Sequence, residues 1–471
     1  MFKYRFGRVL VILDDMGIKA SHSIIFEKLN DMFDVTYKLS TDDKIELQYY
    51  DAIEPSSYLD HSRLARPEDA PKYDDIIGRT NDDFYYDHIM MFAPSVSSFR
   101  SLGISSDKLL QFFDSGRNIF IGLDESSKSF GRELFKEFGA ELFPAKVAVF
   151  GGDKGNTKIS DKLDAQGVSF TSNMFQSVKK TIANINSQVV FQGTGMVLDT
   201  SNEQVFPILK GDDAMYAINP ESGKKSKSGS FKVAGPDITL VAGYQSRYNH
   251  RVVMAGSVKM CSDDFIAASL KTDGNYESSA NYELCLNLIK WNFQQKSVIK
   301  IQNFSHSLVD ESLIDSGRQQ PQEYKLKDEI QVSCDIYEKV NGKWVPYSAN
   351  DVQLEFIMLD PYVRVTLENK SGSKYTTKFN VPDHNGVYKF SIDYNRYGLT
   401  RLLYTEIAPV RVLNHDEFPT MILSAYPYYA SVLLVILGFL LFSYKFLTIK
   451  EGKEKEKEKE KTNRKEKEKQ Q

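Results

Sequence analysis

The stretch Val9–Leu13 (VLVIL), followed at once by Asp14 and Asp15, decides the fold of the first part of the chain. Five consecutive apolar residues that end in carboxylates are typical of a parallel strand buried on both faces. A helix is predicted next, with Ser21 or Ser23 as its N-terminal cap. The sequence therefore opens with the first half of a βαβ unit.

The same alternation continues through the first 300 residues. Further strands are predicted at Val35–Leu39, Ile89–Ala93, Asn118–Gly122, Val189–Gln192, Leu240–Gly243 and Arg251–Ala255. Helices are predicted at Lys108–Ser115, Arg132–Phe138 and Tyr276–Phe293. Strands alternating with helices predict an α/β domain over residues 8–296 with a mostly parallel, doubly wound sheet. Residues 51–83, rich in proline, serine and charge, are predicted to be a surface insertion.

After residue 296 the hydrophobic period changes to two. Apolar residues alternate with polar ones in three runs: Val332–Ile336, Val352–Met358 and Tyr388–Tyr394. Asn341-Gly342 is a turn signal beside these runs. Several such strands in a short segment predict an antiparallel β-sandwich over residues 297–418.

Composition excludes several classes of protein. The chain has 471 residues, with 59 Lys+Arg against 63 Asp+Glu, a net charge of −4 that gives no basic field for nucleic acid. Its 3 cysteines cannot form a disulfide framework or a four-cysteine zinc site. The sequence therefore predicts a protein of two or three domains, without nucleic acid as a partner.

A membrane span is predicted at residues 424–447. The segment Phe418–Tyr444 has no formal charge, and its length suffices to cross the hydrocarbon core of a bilayer. Tyrosines gather at one end and Lys445 follows at the other, as at the two interfaces of a membrane. The residues predicted to lie at the interface or to pack against another helix are Tyr426, Pro427, Tyr428, Tyr429, Ala430, Ser431 and Gly438.

The tail over residues 448–471 sets the predicted orientation. Its lysines belong on the cytosolic side, which places residues 1 to about 420 in a lumen or outside the cell. The tail carries nothing to bury, so we expect it to be solvated and mobile, with at most transient helix from its Glu–Lys pairs. Lys467 and Lys469 match the dilysine pattern that returns membrane proteins to the endoplasmic reticulum.

The N-terminus complicates this orientation because the only apolar run near it, Val9–Leu13, is too short for the core of a signal peptide. Three explanations remain open: a sequence that starts near the mature end, a missing first exon, or a tail-anchored protein whose bulk is cytosolic. The sequons at Asn303 and Asn369 are possible N-glycosylation sites and favour the lumen.

Few residues suggest chemistry. Asp14 and Asp15 follow a strand at the edge where open α/β sheets bind ligands, and they are the predicted ligand site. Two roles stay open for these carboxylates: ligands of a magnesium ion, or N-caps of the helix that follows. No glycine-rich phosphate loop follows the first strand, and the 7 histidines form no metal-binding pattern. No metal is predicted.

The candidates for covalent catalysis are weak. Ser126 lies in a stretch that lacks the second glycine of a nucleophile elbow. Cys285 falls on the apolar face of its predicted helix and is expected in the core. A disulfide between Cys261 and Cys285 stays open, because connectivity cannot be deduced from sequence.

Four segments carry a family resemblance: Asn341–Pro346 (NGKWVP), Asp351–Arg364 (DVQLEFIMLDPYVR), Asp393–Gly398 (DYNRYG) and Ser424–Ser431 (SAYPYYAS). Together with matching segments upstream, they resemble the 48 kDa subunits of the eukaryotic dolichyl-diphosphooligosaccharide–protein glycosyltransferase, the oligosaccharyltransferase of the endoplasmic reticulum. The resemblance covers nearly the whole chain in the same order. The departures are the longer segment 51–83 and the absent signal peptide.

The resemblance implies a type I protein of the endoplasmic-reticulum membrane with its bulk in the lumen. It implies a non-catalytic accessory subunit without a cofactor, in a complex that transfers a preassembled oligosaccharide from dolichyl diphosphate to Asn in Asn-X-Ser/Thr. The catalytic subunit would carry the chemistry and the metal. The implied partners are that subunit, ribophorin-type and defender-against-cell-death-type subunits, membrane lipid and, indirectly, the nascent polypeptide.

Two other classes of function fit the residues less well. A lumenal glycan-binding or quality-control receptor would share the topology and the lack of catalytic residues. An amidotransferase-like or phosphoryl-transfer hydrolase would need Asp14 or Ser126 for its chemistry. The first would associate with the transferase only transiently, and the second would show turnover that Asp14→Asn abolishes.

Overall fold

The computed structural model describes residues 7–42, 47, 84–98, 102–151, 158–159, 169–185, 187–218, 233–272, 275–309, 323–418 and 422–469. The predicted insertion at 51–83 lies outside these residues. By its internal contacts the chain forms two units, residues 1–410 and 411–471. The first unit holds both an α/β part and a β-sandwich, and the second holds a long C-terminal helix.

The strands of the α/β part are β1 (Arg8–Leu13), β2 (Asp34–Leu39), β3 (His88–Phe92), β4 (Asn118–Gly122), β5 (Ala140–Leu142), β6 (Ala148–Phe150), β7 (Lys158–Ile159), β8 (Ser169–Thr171), β9 (Val189–Phe191), β10 (Met196–Leu198), β11 (Val205–Lys210), β12 (Tyr216–Ile218), β13 (Thr239–Gln245), β14 (Arg251–Ala255), β15 (Ser269–Thr272) and β16 (Asn275–Ser278). Its helices are α1 (Met16–Ser21), α2 (Ser23–Met32), α3 (Ser106–Asp114), α4 (Ser129–Glu137), α5 (Gln176–Lys179), α6 (Asp263–Ile266) and α7 (Asn281–Asn292).

The main sheet of the described chain is mixed. Its order is β2-β1-β3-β4-β14-β13-β10-β5, with β11 also paired to β13. The first five of these strands are parallel, whereas every pairing that involves β13, β10, β5 or β11 is antiparallel. The prediction of a mostly parallel sheet therefore holds for one half only. The other half contains hairpin-type connections such as β13–β14, which need no crossover helix.

Both faces of the sheet are covered. Val9, Val11 and Leu13 belong to one hydrophobic core, while Leu10 and Ile12 belong to another on the opposite face. Helices α2 and α7 contribute to the first core, and α3 and α4 to the second. Because side chains alternate across a strand, a wholly apolar β1 requires this layer on each side.

The cap of α2 differs from the prediction. Neither Ser21 nor Ser23 caps it; Ser23 is its first residue, and the Ser21 hydroxyl donates to the Ile18 carbonyl. The Asp263 carboxylate instead accepts from the backbone amides of Ser23 and Ile24, at 2.9 and 3.0 Å. The cap is thus supplied from a residue more than 200 positions away, which no local pattern could indicate.

Helix α7 is shorter than predicted. It starts at Asn281 and not at Tyr276, because Asn275–Ser278 forms strand β16 and pairs with β15. The Asn281 side chain bonds to both the amide and the carbonyl of Val190, at 2.8 and 2.7 Å. This buried pair fixes the first residue of α7 against β9.

The β-sandwich strands are β17 (Val298–Leu308), β18 (Tyr324–Lys325), β19 (Glu329–Val340), β20 (Lys343–Pro346), β21 (Gln353–Ile357), β22 (Pro361–Thr366), β23 (Glu368–Ser371), β24 (Lys374–Asn380), β25 (Gly386–Tyr394) and β26 (Leu402–Arg411). They form two sheets, β17-β19-β24-β23 with β20 on β19, and β18-β26-β25-β21-β22. The pairings among β17, β19, β20, β23 and β24, and those among β21, β22, β25 and β26, are antiparallel.

The inner faces of the two sheets share one core. Val332, Cys334 and Ile336 of β19 pack in the same cluster as Phe390 and Ile392 of β25, and all five are at most 1% exposed. These are residues that the period of two placed on the inside. Asn341 and Gly342 both have positive φ, 52° and 78°, as the two central residues of a tight hairpin require.

The second unit is dominated by α8 (Tyr426–Glu468), which follows a 3-10 helix at Leu423–Ala425. The predicted span at 424–447 lies in it, but the helix does not stop there. It continues through the Lys/Glu-rich segment to Glu468. The tail is thus helical where transient structure was expected, since Lys and Glu are good helix formers and opposite charges recur three residues apart.

Candidate functional site

The C-terminal edge of the parallel strands is where the sequence predicted a ligand site. Asp14 follows β1, Ser95 follows β3 and Asp124 follows β4, so the three lie at one edge of the sheet. The Ser95 amide donates to the Asp14 carboxylate at 2.7 Å, which joins the ends of β1 and β3. In the order β2-β1-β3, strands β2 and β3 lie on opposite sides of β1, so the order of strand addition reverses at β1. In α/β sheets, ligands bind beside such a position.

Burial and the neighbouring groups shift the pKa of Asp14. Burial raises its pKa above the ordinary value, and the carboxylate of Asp124 adds to that rise. The hydrogen bonds from Ser95 and the charge of Lys128 act in the opposite direction. The second carboxylate oxygen of Asp14 is buried and accepts no hydrogen bond from the described residues. Asp14 therefore has one oxygen hydrogen-bonded to the Ser95 amide and one that is buried without a hydrogen bond from the described residues.

Asp15 does not join Asp14. Its side chain is exposed and its backbone is extended, at φ −142° and ψ 152°, where it precedes the first residue of α1. Its carbonyl accepts the Ile18 amide at 3.1 Å. The pair that the sequence suggested is thus divided into one residue bonded at the edge of the sheet and one residue at the start of a helix.

The Ser126 side chain is already hydrogen-bonded within the fold. Its hydroxyl and its amide both donate to one oxygen of Asp124, at 2.7 and 2.9 Å. A serine nucleophile needs a base, most often a histidine, within hydrogen-bond reach. Here the partner of Ser126 is the turn residue Asp124, and this geometry closes the loop after β4 rather than activating the hydroxyl.

The Cys285 sulfur is also bonded within the fold. It is fully buried on α7 and forms a disulfide with Cys261, with the two Cα atoms 5.9 Å apart. The question that the sequence left open is thereby answered. Cys334, in the β-sandwich, is a free, buried thiol whose pKa burial raises to about 12, so it is held in its unreactive neutral form.

Metal ligands do not gather in the part of the chain that the structure describes: no group of three or more His, Cys, Asp or Glu is placed to hold an ion. His22 and His88, which lie near the parallel strands, are buried and bonded within the fold. His22 is within 3.0 Å of the carbonyl oxygens of Ile18 and Val258, and His88 stacks on Phe293 with ring centroids 4.4 Å apart.

A second cluster of polar side chains was not anticipated from the sequence. Arg251, on β14, is fully buried and donates to the carbonyls of Trp291, Lys296 and Ser297 at 2.6, 2.9 and 2.7 Å. Its guanidinium also lies 4.8 Å from the centre of the Trp291 ring. Burial lowers the pKa of Arg251 to about 9, and Glu338 opposes that shift. The arginine ties the end of α7 to the start of the β-sandwich.

The loop between β25 and β26 completes this connection, which we call the domain joint. The Trp291 indole donates to the Gly398 carbonyl at 2.7 Å, and the Gln245 amide donates to the Leu399 carbonyl at 2.6 Å. Asn249 accepts from the amide of Arg401 at 2.6 Å and donates to its carbonyl at 3.2 Å. The segment Asp393–Gly398, which carries the family resemblance, thus leads into a loop that packs on the α/β part.

The predicted membrane residues lie on α8. Tyr426 and Pro427 are in its first turn, where the missing amide hydrogen of proline costs nothing. Tyr428 and Tyr429 are exposed, and the Ser431 hydroxyl donates to the Tyr428 carbonyl at 2.7 Å. Ala430 lies in the same turns, and nothing lies within 4 Å of the position that a Cβ on Gly438 would take.

The first half of α8, up to Leu447, exposes apolar side chains on all sides. From Val432 to Leu447 the large hydrophobic side chains are between 48% and 71% exposed. By length and composition this helix can cross a membrane, and it is the only such helix in the described chain. Lys467 and Lys469 lie at its end, and both sequon asparagines form hydrogen bonds: exposed Asn303 to Asp335 and half-buried Asn369 to Ser348 and Gly372.

Comparison with protein families agrees with this architecture. The profile of the OST48 N-terminal domain matches residues 72–295, and that of the OST48 middle domain matches residues 312–450. The two matched segments correspond to much of the α/β part and to the β-sandwich with the start of α8.

Curated relatives match over nearly the full length. A protein of Arabidopsis thaliana named dolichyl-diphosphooligosaccharide–protein glycosyltransferase 48 kDa subunit is 32% identical, over 93% of this chain and 92% of its own. Proteins with the same name from Danio rerio and Drosophila melanogaster are 32% and 30% identical, each over 94% of this chain and 92% of their own.

Proposed function

The chain belongs to the family of 48 kDa subunits of dolichyl-diphosphooligosaccharide–protein glycosyltransferase, and from this premise we propose that it is a non-catalytic, membrane-anchored subunit of that complex. The observation that carries the proposal is similarity along the whole chain, from the α/β part to the apolar helix. The complex would transfer a preassembled oligosaccharide from dolichyl diphosphate to Asn in Asn-X-Ser/Thr of nascent polypeptides.

Two side chains that are bonded within the fold support an accessory role. Ser126 donates to Asp124, and Cys285 is held in a disulfide, so the two candidate nucleophiles both serve the fold. In this proposal the catalytic subunit supplies the chemistry and the metal, and the present chain contributes to assembly. It needs no cofactor of its own.

The proposed location is the endoplasmic-reticulum membrane, in type I orientation. The lysines after the span favour a cytosolic C-terminus, where Lys467 and Lys469 would act as a retrieval signal. The Cys261–Cys285 disulfide supports an oxidising compartment for the α/β part. In that compartment Asn303 and Asn369 could carry glycans of their own.

The proposed partners are the catalytic subunit, ribophorin-type and defender-against-cell-death-type subunits and membrane lipid. The apolar surface of α8 supports this, since exposed hydrophobic residues on all sides need lipid or other helices around them. Ala430, Ser431 and Gly438 would let a neighbouring helix approach closely. Asp14 and Asp15, at the edge where α/β sheets bind ligands, are the proposed site at which acceptor polypeptide or glycan would be held.

Depletion and rescue test the accessory role. Microsomes from cells depleted of this chain should lose transfer of glycan to a sequon peptide, and the wild-type chain should restore it. The Ser126→Ala variant should restore transfer equally well, because its hydroxyl only closes a loop. A purified chain that turns over a substrate by itself, with turnover abolished by Asp14→Asn, would replace this proposal with the hydrolase.

A further inference from the structure

The β-sandwich has two ends, and the α/β part occupies one of them. The loop from Asn395 to Arg401 lies there, where Gly398 and Leu399 accept the hydrogen bonds of the domain joint. Strands β25 and β26 are antiparallel, and their register places Gly386 opposite Val410 at the other end. That end takes no part in the domain joint.

The three most exposed large apolar side chains of the sandwich lie at or toward this second end. Leu359, between β21 and β22, is 90% exposed; Ile407 is 70% exposed and Val387 is 64% exposed. Val387 is adjacent to Gly386 at the start of β25, and Ile407 lies in the middle of β26, two residues before the register partner of Val387. We call Leu359, Val387 and Ile407 the tip patch. Isolated exposed aliphatic side chains are ordinary, but three toward one end of a sandwich mark a candidate contact surface.

The surroundings of the tip patch contain aromatic and basic side chains, and the exposed carboxylate of Asp360 follows Leu359. Tyr362 is 43% exposed, and its ring meets those of His384 and Tyr388 at centroid distances of 5.8 and 5.5 Å. The exposed Lys389 pairs in register with Ile407 on one side and with Ile357 on the other. Aliphatic residues bordered by tyrosine and lysine are the composition found where proteins meet the headgroup region of a bilayer.

The connection to the apolar helix is short. Residues 411–422 separate Val410 from the 3-10 helix at Leu423, and even fully extended they would span at most about 45 Å. The segment from Arg411 to Glu417 is not extended, because Arg411 forms two hydrogen bonds with the Glu417 carboxylate, at 2.7 and 2.8 Å. The same carboxylate accepts the Asn414 amide at 2.8 Å. This turn shortens the reach of the connection well below its contour length.

From these observations we infer that the tip patch contacts the lipid surface of the membrane in which the chain is anchored. The inference rests on the proposed membrane span at α8. Lipid fits better than a protein partner, because a stable protein interface is broad and well packed, whereas the patch is centred on one protruding hairpin turn. The β-sandwich would then have two fixed ends, one on the α/β part and one on the bilayer.

Depth-dependent quenching tests the contact. The full chain carrying Leu359→Cys, labelled with an environment-sensitive dye, is reconstituted in phosphatidylcholine vesicles with and without nitroxide lipids. The only other free cysteine of the described chain, Cys334, is buried and escapes labelling in the folded protein. The matched control is Thr366→Cys, an exposed position at the far end of β22, the strand that follows Leu359. Alkaline extraction of the vesicles reports separately on insertion of α8.

The contact predicts blue-shifted emission at position 359 that nitroxide lipids quench, and water-like, unquenched emission at position 366. Water-like emission at 359 in a chain that resists alkaline extraction would overturn the inference while leaving the span intact. A blue shift that lipid does not quench, and that appears only with partner subunits present, would overturn it in favour of a protein contact. Release of the chain by alkali would overturn the span and the inference together.

Discussion

Gly398 is the residue on which the domain joint depends most directly. It has φ +81°, and a Cβ added there would overlap the Thr181 hydroxyl and lie 3.3 Å from Ile182. We expect Gly398→Ala to destabilise the protein by about 2–3 kcal/mol, since the αL strain of a non-glycine residue adds to steric overlap in a packed interface. The measurement is thermal or urea unfolding of the purified chain.

The control for Gly398 is Gly372, which also has positive φ, +59°, but has only Pro346 within 4 Å, at 3.7 Å. Gly372→Ala should show the strain alone, about 1 kcal/mol. Equal losses of stability in the two variants would contradict the role of Gly398 in the domain joint. Steric overlap at Gly398 would then add nothing to the backbone strain.

His88 should make stability depend on pH. Burial lowers its pKa to about 4, against an ordinary value of 6.5, and Asp87 only partly opposes this. Between pH 6.5 and 4, His88 therefore binds a proton in the unfolded chain but not in the folded chain. The free energy of unfolding decreases as pH falls through this range. The loss from this residue should reach about 3 kcal/mol. Unfolding curves across that range, with His88→Gln as the comparison, measure it; an unchanged slope in the variant would contradict the account.

Sequence analysis placed both Asp14 and Asp15 at the C-terminal edge of the parallel strands, and ligand binding by either of them stays a prediction. Asp14 lies there because it follows a strand, and strand ends can be read from an apolar run. Asp15 does not, because a helix begins one residue later and turns it to solvent. Arg251 and Asp263 were missed because their partners are distant in sequence; an arginine that opens a wholly apolar strand was the only local signal at Arg251.

At the level of elements, the disulfide joins α7 to the 3-10 helix at Lys259–Cys261. It closes a loop with a sequence separation of 24 residues, and its removal should cost about 3 kcal/mol. Replacing both cysteines by alanine should lower the midpoint of unfolding accordingly. Without reductant, alkylation after unfolding should label Cys334 alone, and labelling of all three cysteines would show that the bond does not form.

Element boundaries were predictable where an apolar run fixed them and not elsewhere. β4 and β14 were predicted to the residue, because their apolar runs are bounded by polar or glycine residues. The start of α7 was wrong because β16 and the helix have no Gly or Pro between them. The end of α8 was missed because the change from apolar to charged residues ends the span but not the helix.

For the whole molecule, the sequence indicated its parts better than their arrangement. The period of two in the sandwich and the apolar span follow from residue type alone. The mixed character of the large sheet does not, because pairing between distant strands such as β5 and β10 depends on tertiary contacts. The single unit formed by residues 1–410 likewise depends on the domain joint, whose hydrogen bonds connect Gln245, Asn249 and Trp291 to residues more than 100 positions away.

The central claim is that this chain functions as a subunit of the oligosaccharyltransferase. The most direct test is to tag the full chain, solubilise membranes in a mild detergent, purify by the tag and quantify what remains bound. The account predicts the catalytic subunit in near-equal amount and sequon-dependent glycan transfer in the eluate. A chain recovered alone, or with unrelated proteins and no transfer activity, would contradict it.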